Sequence, residues 1–368
     1  MRRLLMLGLL CLGCGGGEEA PPVDATDQAP PVDTITPMDS VGIEMGDSCY
    51  VLGSVTDAEA TPAGGLAVLD RVTCKISVYD EDGLFVTRFG GKGEAPDHFQ
   101  WPTALAVLGD GRIAVKDGMG GDIALFSPDG DLLGRLPGDA RVEPSWDMES
   151  LGDSALLVYS CPSRMVEGSF RQGYQLRLVP TEADAQPRTL FSHTYVVGEG
   201  EFDFRPGYIC MAAGDGTVFL HRMASEDYLI EVMDGFGEGI DTIRSASKAM
   251  PLDSIAFGRQ HMIPVARFAN TDGSGNTTQT AGEPPQSVPQ VLQMGTDSSG
   301  NLWAMRGTDS EYRFDVFSPD GQKLREVVAV GLPDSAWLSF DVGPGGVLAW
   351  DISPEDYPRI YRLEARQN

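Results

Sequence analysis

Ile76-Ser-Val-Tyr-Asp-Glu-Asp-Gly83, Ile123-Ala-Leu-Phe-Ser-Pro-Asp-Gly130 and Phe314-Asp-Val-Phe-Ser-Pro-Asp-Gly321 are three copies of one pattern. In each, an apolar run ends in Asp-Gly and a second apolar run follows. Asp-Gly between apolar runs signals a hairpin, because glycine takes the positive φ of a tight turn and Asp bonds to the turn's own backbone. Gly83 and Gly130 lie 47 residues apart, and Gly130 and Gly321 lie 191 apart, close to four such steps. Short strands repeating at this period predict a β-propeller, since each four-stranded sheet needs neighbours to cover its faces.

Strand and turn signals divide the chain into six units. The first spans about 49–90, with Tyr50-Val-Leu-Gly-Ser54, Gly65-Leu-Ala-Val-Leu69, Ile76–Tyr79 and Leu84–Phe89 as its strands. The second contains Thr103–Leu108, Arg112–Lys116, Ile123–Phe126 and Leu132–Leu136. The third takes 146–192, the fourth 207–244, the fifth 290–330 and the sixth 338–365. The sixth has only three strands, so a segment near Val41-Gly-Ile-Glu-Met45 is expected to return as its fourth and close the ring. Closure leaves no blade with an unpaired outer strand. Between Ser245 and Pro289 an insertion interrupts the pattern, either as a lid or binding segment or as a surface loop.

The N-terminus reads as an export signal. Arg2 and Arg3 precede the apolar stretch Leu4–Leu12, which is too short to span a bilayer. Leu10-Cys-Leu-Gly-Cys14 looks like a bacterial lipobox with Cys14 as the acylated residue, although Cys11 stands where an aliphatic residue is usual. Gly15 after Cys14 favours the outer membrane. Residues 15–33 contain Gly15-Gly-Gly-Glu-Glu19 and two Ala-Pro-Pro runs, a composition that reads as an acidic tether. The domain plan is therefore a signal peptide at 1–14, a tether at 15–33 and an all-β, six-bladed propeller at 34–368, with the insertion at 245–289.

Charge narrows the partners. Asp and Glu number 54 against 27 Lys and Arg, for a formal net charge of −27. Phosphate backbones are held by basic residues, so nucleic acid is excluded, and anionic lipid would repel the chain except through its lipid anchor. An envelope protein or a glycan remains as partner.

Phe89-Gly-Gly-Lys-Gly-Glu-Ala-Pro-Asp-His-Phe-Gln-Trp-Pro-Thr-Ala-Leu-Ala-Val107 resembles the loop and inner strand of NHL-type repeats. Gly109-Asp-Gly-Arg-Ile-Ala-Val115 and Ser298-Ser-Gly-Asn-Leu-Trp-Ala304 resemble their second strands. From about Cys49 onward the chain is similar to the six-bladed β-propeller lipoproteins of bacterial envelopes. The resemblance implies the fold and leaves the activity open, because propellers host many functions. The histidine-bound metal of NHL-type amidating lyases has no matching pattern here, and His98, His193, His221 and His261 are scattered singly.

No Gly-x-Ser-x-Gly elbow, His-Glu-x-x-His helix, Walker loop or dinucleotide fingerprint occurs. The positional lead is stronger. Second strands end around the channel of a propeller, and here those ends are Asp70, Asp117, Ser160, Arg222, Arg306 and Asp351, with Tyr159, His221 and Trp350 beside them. Such a ring either binds a polar ligand or pairs internally as a plug. The same layout places Cys49 with Cys74, and Cys161 with Cys210, as two bridges on one face. The reading that follows is a non-catalytic, exported, lipid-anchored binding protein of the bacterial outer membrane, without a cofactor. The alternative is a calcium-dependent hydrolase, lactonase- or esterase-like, with the metal among Asp70, Asp117 and Asp351. A ring containing two arginines and no Glu or Asn argues against a dication.

Overall fold

In the computed structural model the described residues are 30–118, 121–136, 145–160, 162–166, 169–182, 185–196, 209–214, 216–222, 225, 227–246, 251, 267–271, 277–281, 288–307, 311–333, 338–352 and 357–365. The signal peptide, Cys14, Cys161 and most of the 15–33 and 245–289 segments lie outside them.

The recurring turns form as their residues dictate. Gly83, Gly130 and Gly321 have φ of 74°, 93° and 82°. The capping atom comes from the first turn residue rather than from the Asp beside Gly. Asp80 Oδ1 accepts the Leu84 N–H at 2.8 Å, and the hydroxyl oxygens of Ser127 and Ser318 accept the Asp131 and Gln322 N–H groups at 3.1 Å. Asp80, Ser127 and Ser318 therefore serve their hairpins as turn caps.

All regular structure among the described residues is β. Strand β1 is Val32–Val41. The first blade is β2 (Val55–Ala60), β3 (Leu66–Asp70), β4 (Lys75–Tyr79) and β5 (Phe85–Gly90). The second is β6 (Pro102–Val107), β7 (Ile113–Asp117), β8 (Ile123–Phe126) and β9 (Leu132–Leu136). The third is β10 (Ser145–Leu151), β11 (Ala155–Ser160), β12 (Ser163–Val166), β13 (Ser169–Pro180) and β14 (Arg188–Val196). The fourth is β15 (Ile209–Gly214), β16 (Thr217–Arg222), β17 (Tyr228–Asp234) and β18 (Gly239–Ser245). Strands β19 (Arg267–Thr271) and β20 (Thr277–Ala281) form a separate hairpin within the 245–289 insertion. The fifth blade is β21 (Val291–Thr296), β22 (Leu302–Arg306), β23 (Tyr312–Phe317) and β24 (Lys323–Ala329), and the sixth begins with β25 (Leu338–Gly343), β26 (Gly346–Asp351) and β27 (Ile360–Ala365).

The innermost strands β2, β6, β10, β15, β21 and β25 touch in that order, and β25 returns to β2. Apolar layers fill the spaces between blades. Leu69, Ile76, Phe99 and Phe126 lie between the first and second, and Val55, Tyr79, Leu348 and Trp350 between the sixth and first. Burying such side chains stabilises by roughly 1.5–3 kcal/mol each, so each blade depends on its neighbours.

Closure differs in detail from the sequence expectation. The closing strand is β1, just ahead of the anticipated Val41–Met45 segment. It pairs antiparallel with β27 from Ile35 opposite Ala365 to Val41 opposite Ile360, and parallel with β24 from Val32 opposite Glu326 to Ile35 opposite Ala329. One strand thus joins the fifth and sixth blades into a single eight-stranded sheet. In the first blade, the inner strand is Val55–Ala60 rather than Tyr50–Ser54. Tyr50 and Leu52 instead pack into the space between blades six and one, with Leu52 buried there.

Candidate ligand site in the channel

Every first strand has one edge facing the channel, where its backbone N–H groups lack a sheet partner and need another acceptor. Side chains from neighbouring blades meet this need. Asp57 Oδ2 accepts the Leu105 N–H at 2.8 Å, and Glu59 Oε2 accepts the Val107 N–H at 2.6 Å. Asp341 Oδ2 accepts the Ala60 N–H at 3.2 Å, and Gln293 Oε1 accepts the Phe340 N–H at 3.0 Å. The Thr296 hydroxyl donates to the Ala213 carbonyl at 2.6 Å. Blade is thereby latched to blade from the fourth round to the second.

The third blade brings Asp147 and Glu149 into the same channel. Asp147 accepts the N–H of Met148 at 2.9 Å, and the Glu149 carboxylate accepts no hydrogen bond among the described residues. Burial raises Asp57, Glu59 and Glu149 well above the ordinary carboxylate range, and repulsion within the cluster adds to the effect. Burial also takes Asp147 up to about 6 and Asp341 to about 7. Five acids therefore share one low-dielectric space, and a proton is held there far more tightly than in water.

The channel opens into a cavity of about 340 Å³. Pro62, Gly109, Gly152, Gly214, Ser298 and Pro344 rim it, one from each turn that joins a first strand to a second. Glu59, Glu149 and Asp341 line its interior, and none of its lining residues is Lys, Arg or His. Its size falls within the range of small-molecule sites.

The residues singled out from sequence lie at the opposite end of the channel, and the structure does not bring them together as one site. Asp70 is 4% exposed, and its two oxygens accept N–H groups of Gly53, Ser54, Val72 and Thr73 at 2.9–3.4 Å. Asp117 is 3% exposed and accepts those of Gln100 and Trp101 at 3.0 and 2.9 Å. Both carboxylates clamp the loop that enters their own blade.

Arg222 turns outward to Glu231 at 2.8 Å. Arg306 pairs with Asp315 and Glu326, where Lys323 and Arg313 join the network. Ser160 is buried and Asp351 half-buried at their strand ends. His221 is fully buried, and its Nδ1–H donates to the Leu229 carbonyl at 2.8 Å; burial lowers its pKa. Since the oxygens of Asp70 and Asp117 are already engaged by backbone donors, this set does not fit a calcium ion. Among the described residues, no three His, Cys, Asp or Glu side chains converge on a point that a metal could occupy.

The expected bridges are not present among the described residues. Cys49, Cys74 and Cys210 are free thiols. Cys74 packs on the face of blade one toward blade two, whereas the Cys49 carbonyl accepts the hydroxyl of Tyr79, which packs on the opposite face. The sheet itself separates the two sulfurs. Cys210 faces blade five, with Sγ 3.8 Å from the Val291 carbonyl, and its expected partner Cys161 lies outside the described residues.

Asp57 and Glu59 were missed because Val55–Ala60 was read as a connection, and Asp147, Glu149 and Asp341 because only the ends of second strands were taken to face the channel. A signal was present: Asp57-Ala-Glu59 and Asp147-Met-Glu149 repeat one pattern, 90 residues or about two blades apart. Each places two carboxylates on one side of a strand, with an apolar residue facing the other way.

No protein-family profile matches the chain, and no curated protein matches it. Among solved structures, it is similar to a Bacteroides fragilis protein described as exported, at 13% identity and TM-score 0.50, over 91% of this chain and 100% of that one. It is similar to the beta-propeller domain of Myceliophteria thermophila Cps50 (Swd1) at 13% identity and TM-score 0.43, over 88% and 99% of the two chains. A third similar structure is the calcium-binding protein regucalcin of Agrobacterium tumefaciens, at 12% identity and TM-score 0.47, over 92% and 97%. At these identities the likeness is one of architecture alone, and the chain is a β-propeller.

Proposed function

We propose that this chain is a non-catalytic binding propeller of the bacterial cell envelope, anchored through Cys14, and that it takes a small polar ligand in the channel. The observation that carries the reading is the cavity of about 340 Å³, into which Glu59, Glu149 and Asp341 open from three different blades. Inner strands hold these groups in a rigid ring, which suits recognition because little ordering is needed on binding. The site therefore moves from the loop-bearing face named in the sequence reading to the face of short turns. The cavity lining contains no His or Cys beside these carboxylates, which supports binding over hydrolysis.

The test is a thermal-shift screen of polar small molecules and glycans against the wild-type protein and Ser298→Trp. Ser298 is an exposed rim residue, so a bulky side chain there obstructs the mouth without entering the core. A ligand at a hundred times its Kd should stabilise the wild type by about 2.7 kcal/mol. The expected outcome is a hit whose shift disappears in Ser298→Trp. Hits that shift both proteins alike would remove the channel from the reading.

A further inference from the structure

We propose that the channel cavity binds an organic polyamine, a flexible chain carrying separate ammonium groups, and admits it in exchange for protons. This inference rests on the binding reading above and names its ligand class.

Unfilled acceptors face the cavity. Among the described residues nothing donates a hydrogen bond to Glu149, which lines the cavity. Glu59 and Asp341 each use one oxygen on an inner-strand N–H, which leaves Glu59 Oε1 and Asp341 Oδ1 without a donor among the described residues. The described residues around the cavity also leave its acids without a cation in the lining. The two deeper acids, Asp57 and Asp147, add to the same field. Of the six inner strands, β2, β10 and β25 contribute these carboxylates; β6, β15 and β21 contribute no charged residue, and Cys210 on β15 faces the blade interface. Crowded, enclosed carboxylates are costly to ionise when no cationic side chain lines their cavity, so protons or a cation must neutralise Glu59, Glu149 and Asp341.

Spacing selects among cations. No three of these groups converge on one point among the described residues, so a single metal ion cannot satisfy them together. The cavity is also far larger than one ion. A chain with nitrogens several ångströms apart can place one ammonium at each carboxylate. Each ammonium brings three donors, matching sites that have acceptors to fill, through charge-assisted bonds. Burial and mutual repulsion keep the cluster partly protonated near neutrality, with Asp147 near 6 and Asp341 near 7. Entry of an ammonium therefore displaces protons, and acid opposes binding.

Isothermal titration of the purified protein with spermidine at physiological ionic strength tests this directly. The expected result at pH 7.5 is one saturable site, with proton release seen as a buffer-dependent heat. Affinity should fall at least tenfold at pH 5.0. It should also fall at least tenfold in Glu149→Gln, which alters the net charge of −27 by a single unit and leaves general surface attraction nearly intact. A rise in melting temperature of Glu149→Gln would show that the variant is folded. Equal affinity at both pH values, equal affinity in Glu149→Gln, or no spermidine binding would each overturn the proposal. An amine-free ligand from the thermal-shift screen that Ser298→Trp abolishes would overturn the amine assignment while leaving the binding reading intact.

Discussion

The two ends of the channel use one residue type in opposite ways. On the face that carries the inter-blade loops, Asp70 and Asp117 are surrounded by backbone N–H donors and serve as clamps. On the face of short turns, Glu59, Glu149 and Asp341 meet few donors and many other acids. Loop length accounts for the contrast. A long loop can fold back and present several N–H groups to one carboxylate, whereas turns of two to five residues use their N–H groups largely within themselves. Elaborated loops therefore consume the polar groups beneath them, and the plainer face keeps its chemistry available.

The largest disruption should come from below both faces. Deleting residues 32–41 removes the strand that pairs with both β24 and β27 and uncovers two edges at once. The expected outcome is loss of the cooperative thermal transition by circular dichroism, and an unchanged transition would contradict the closure described here. Asp70→Ala separates the faces next. It strands up to four N–H groups at the loop face and should cost about 2–4 kcal/mol in urea unfolding, with no effect on channel binding.

Asp341→Asn should act with the opposite sign. In the folded state this carboxyl titrates near 7, against an unfolded value near 3.8. Its favourable linkage is fully present below the unfolded value and is lost as pH rises through the folded one. Asparagine keeps a carbonyl oxygen for the Ala60 N–H and has no charge to desolvate. The variant should exceed wild type by about 1–2 kcal/mol at pH 8 and match it near pH 4. Wild type itself should gain stability between pH 8 and pH 5. A flat wild-type profile there would show that water reaches the cluster freely.

The smallest effect belongs to the rim of blade five. Burial alone would raise the Glu326 carboxyl, but hydrogen bonds from Lys323 and Arg306 bring it down to about 2. Its contribution is present above the ordinary value of 4.5 and is lost as pH falls toward 2. Glu326→Gln should lower stability by no more than about 1 kcal/mol at pH 7, with the gap closing at pH 2.

The sequence made the architecture legible wherever turn chemistry is local. Gly83, Gly130 and Gly321 hold positive φ as their Asp-Gly pairs implied, and blade five runs from Val291 to Ala329 almost as its apolar runs suggested. Even the need for a returning strand was visible from the three-stranded sixth blade. The site was less legible because its logic is not local. Asp70 and Asp117 end second strands as expected, but whether loop N–H groups saturate them depends on a fold-back that spacing does not encode. The acids of β2 looked like connector residues because Thr56 and the small Ala58 and Ala60 dilute the apolar pattern. The cysteines show the same limit. Cys49 and Cys74 are close in sequence, and only the sheet between them decides that they do not meet.

The closing strand also sets how the disc responds to force. Strand β1 joins β24 and β27, laddered to the first over Val32–Ile35 and to the second over Ile35–Val41. Tension applied along its axis from residue 30 loads those hydrogen bonds in shear, many together, whereas a sideways pull would unzip them singly. A propeller held at this end thus meets axial drag with its strongest mode of resistance, and the same strand that completes the circle serves as its mechanical fuse.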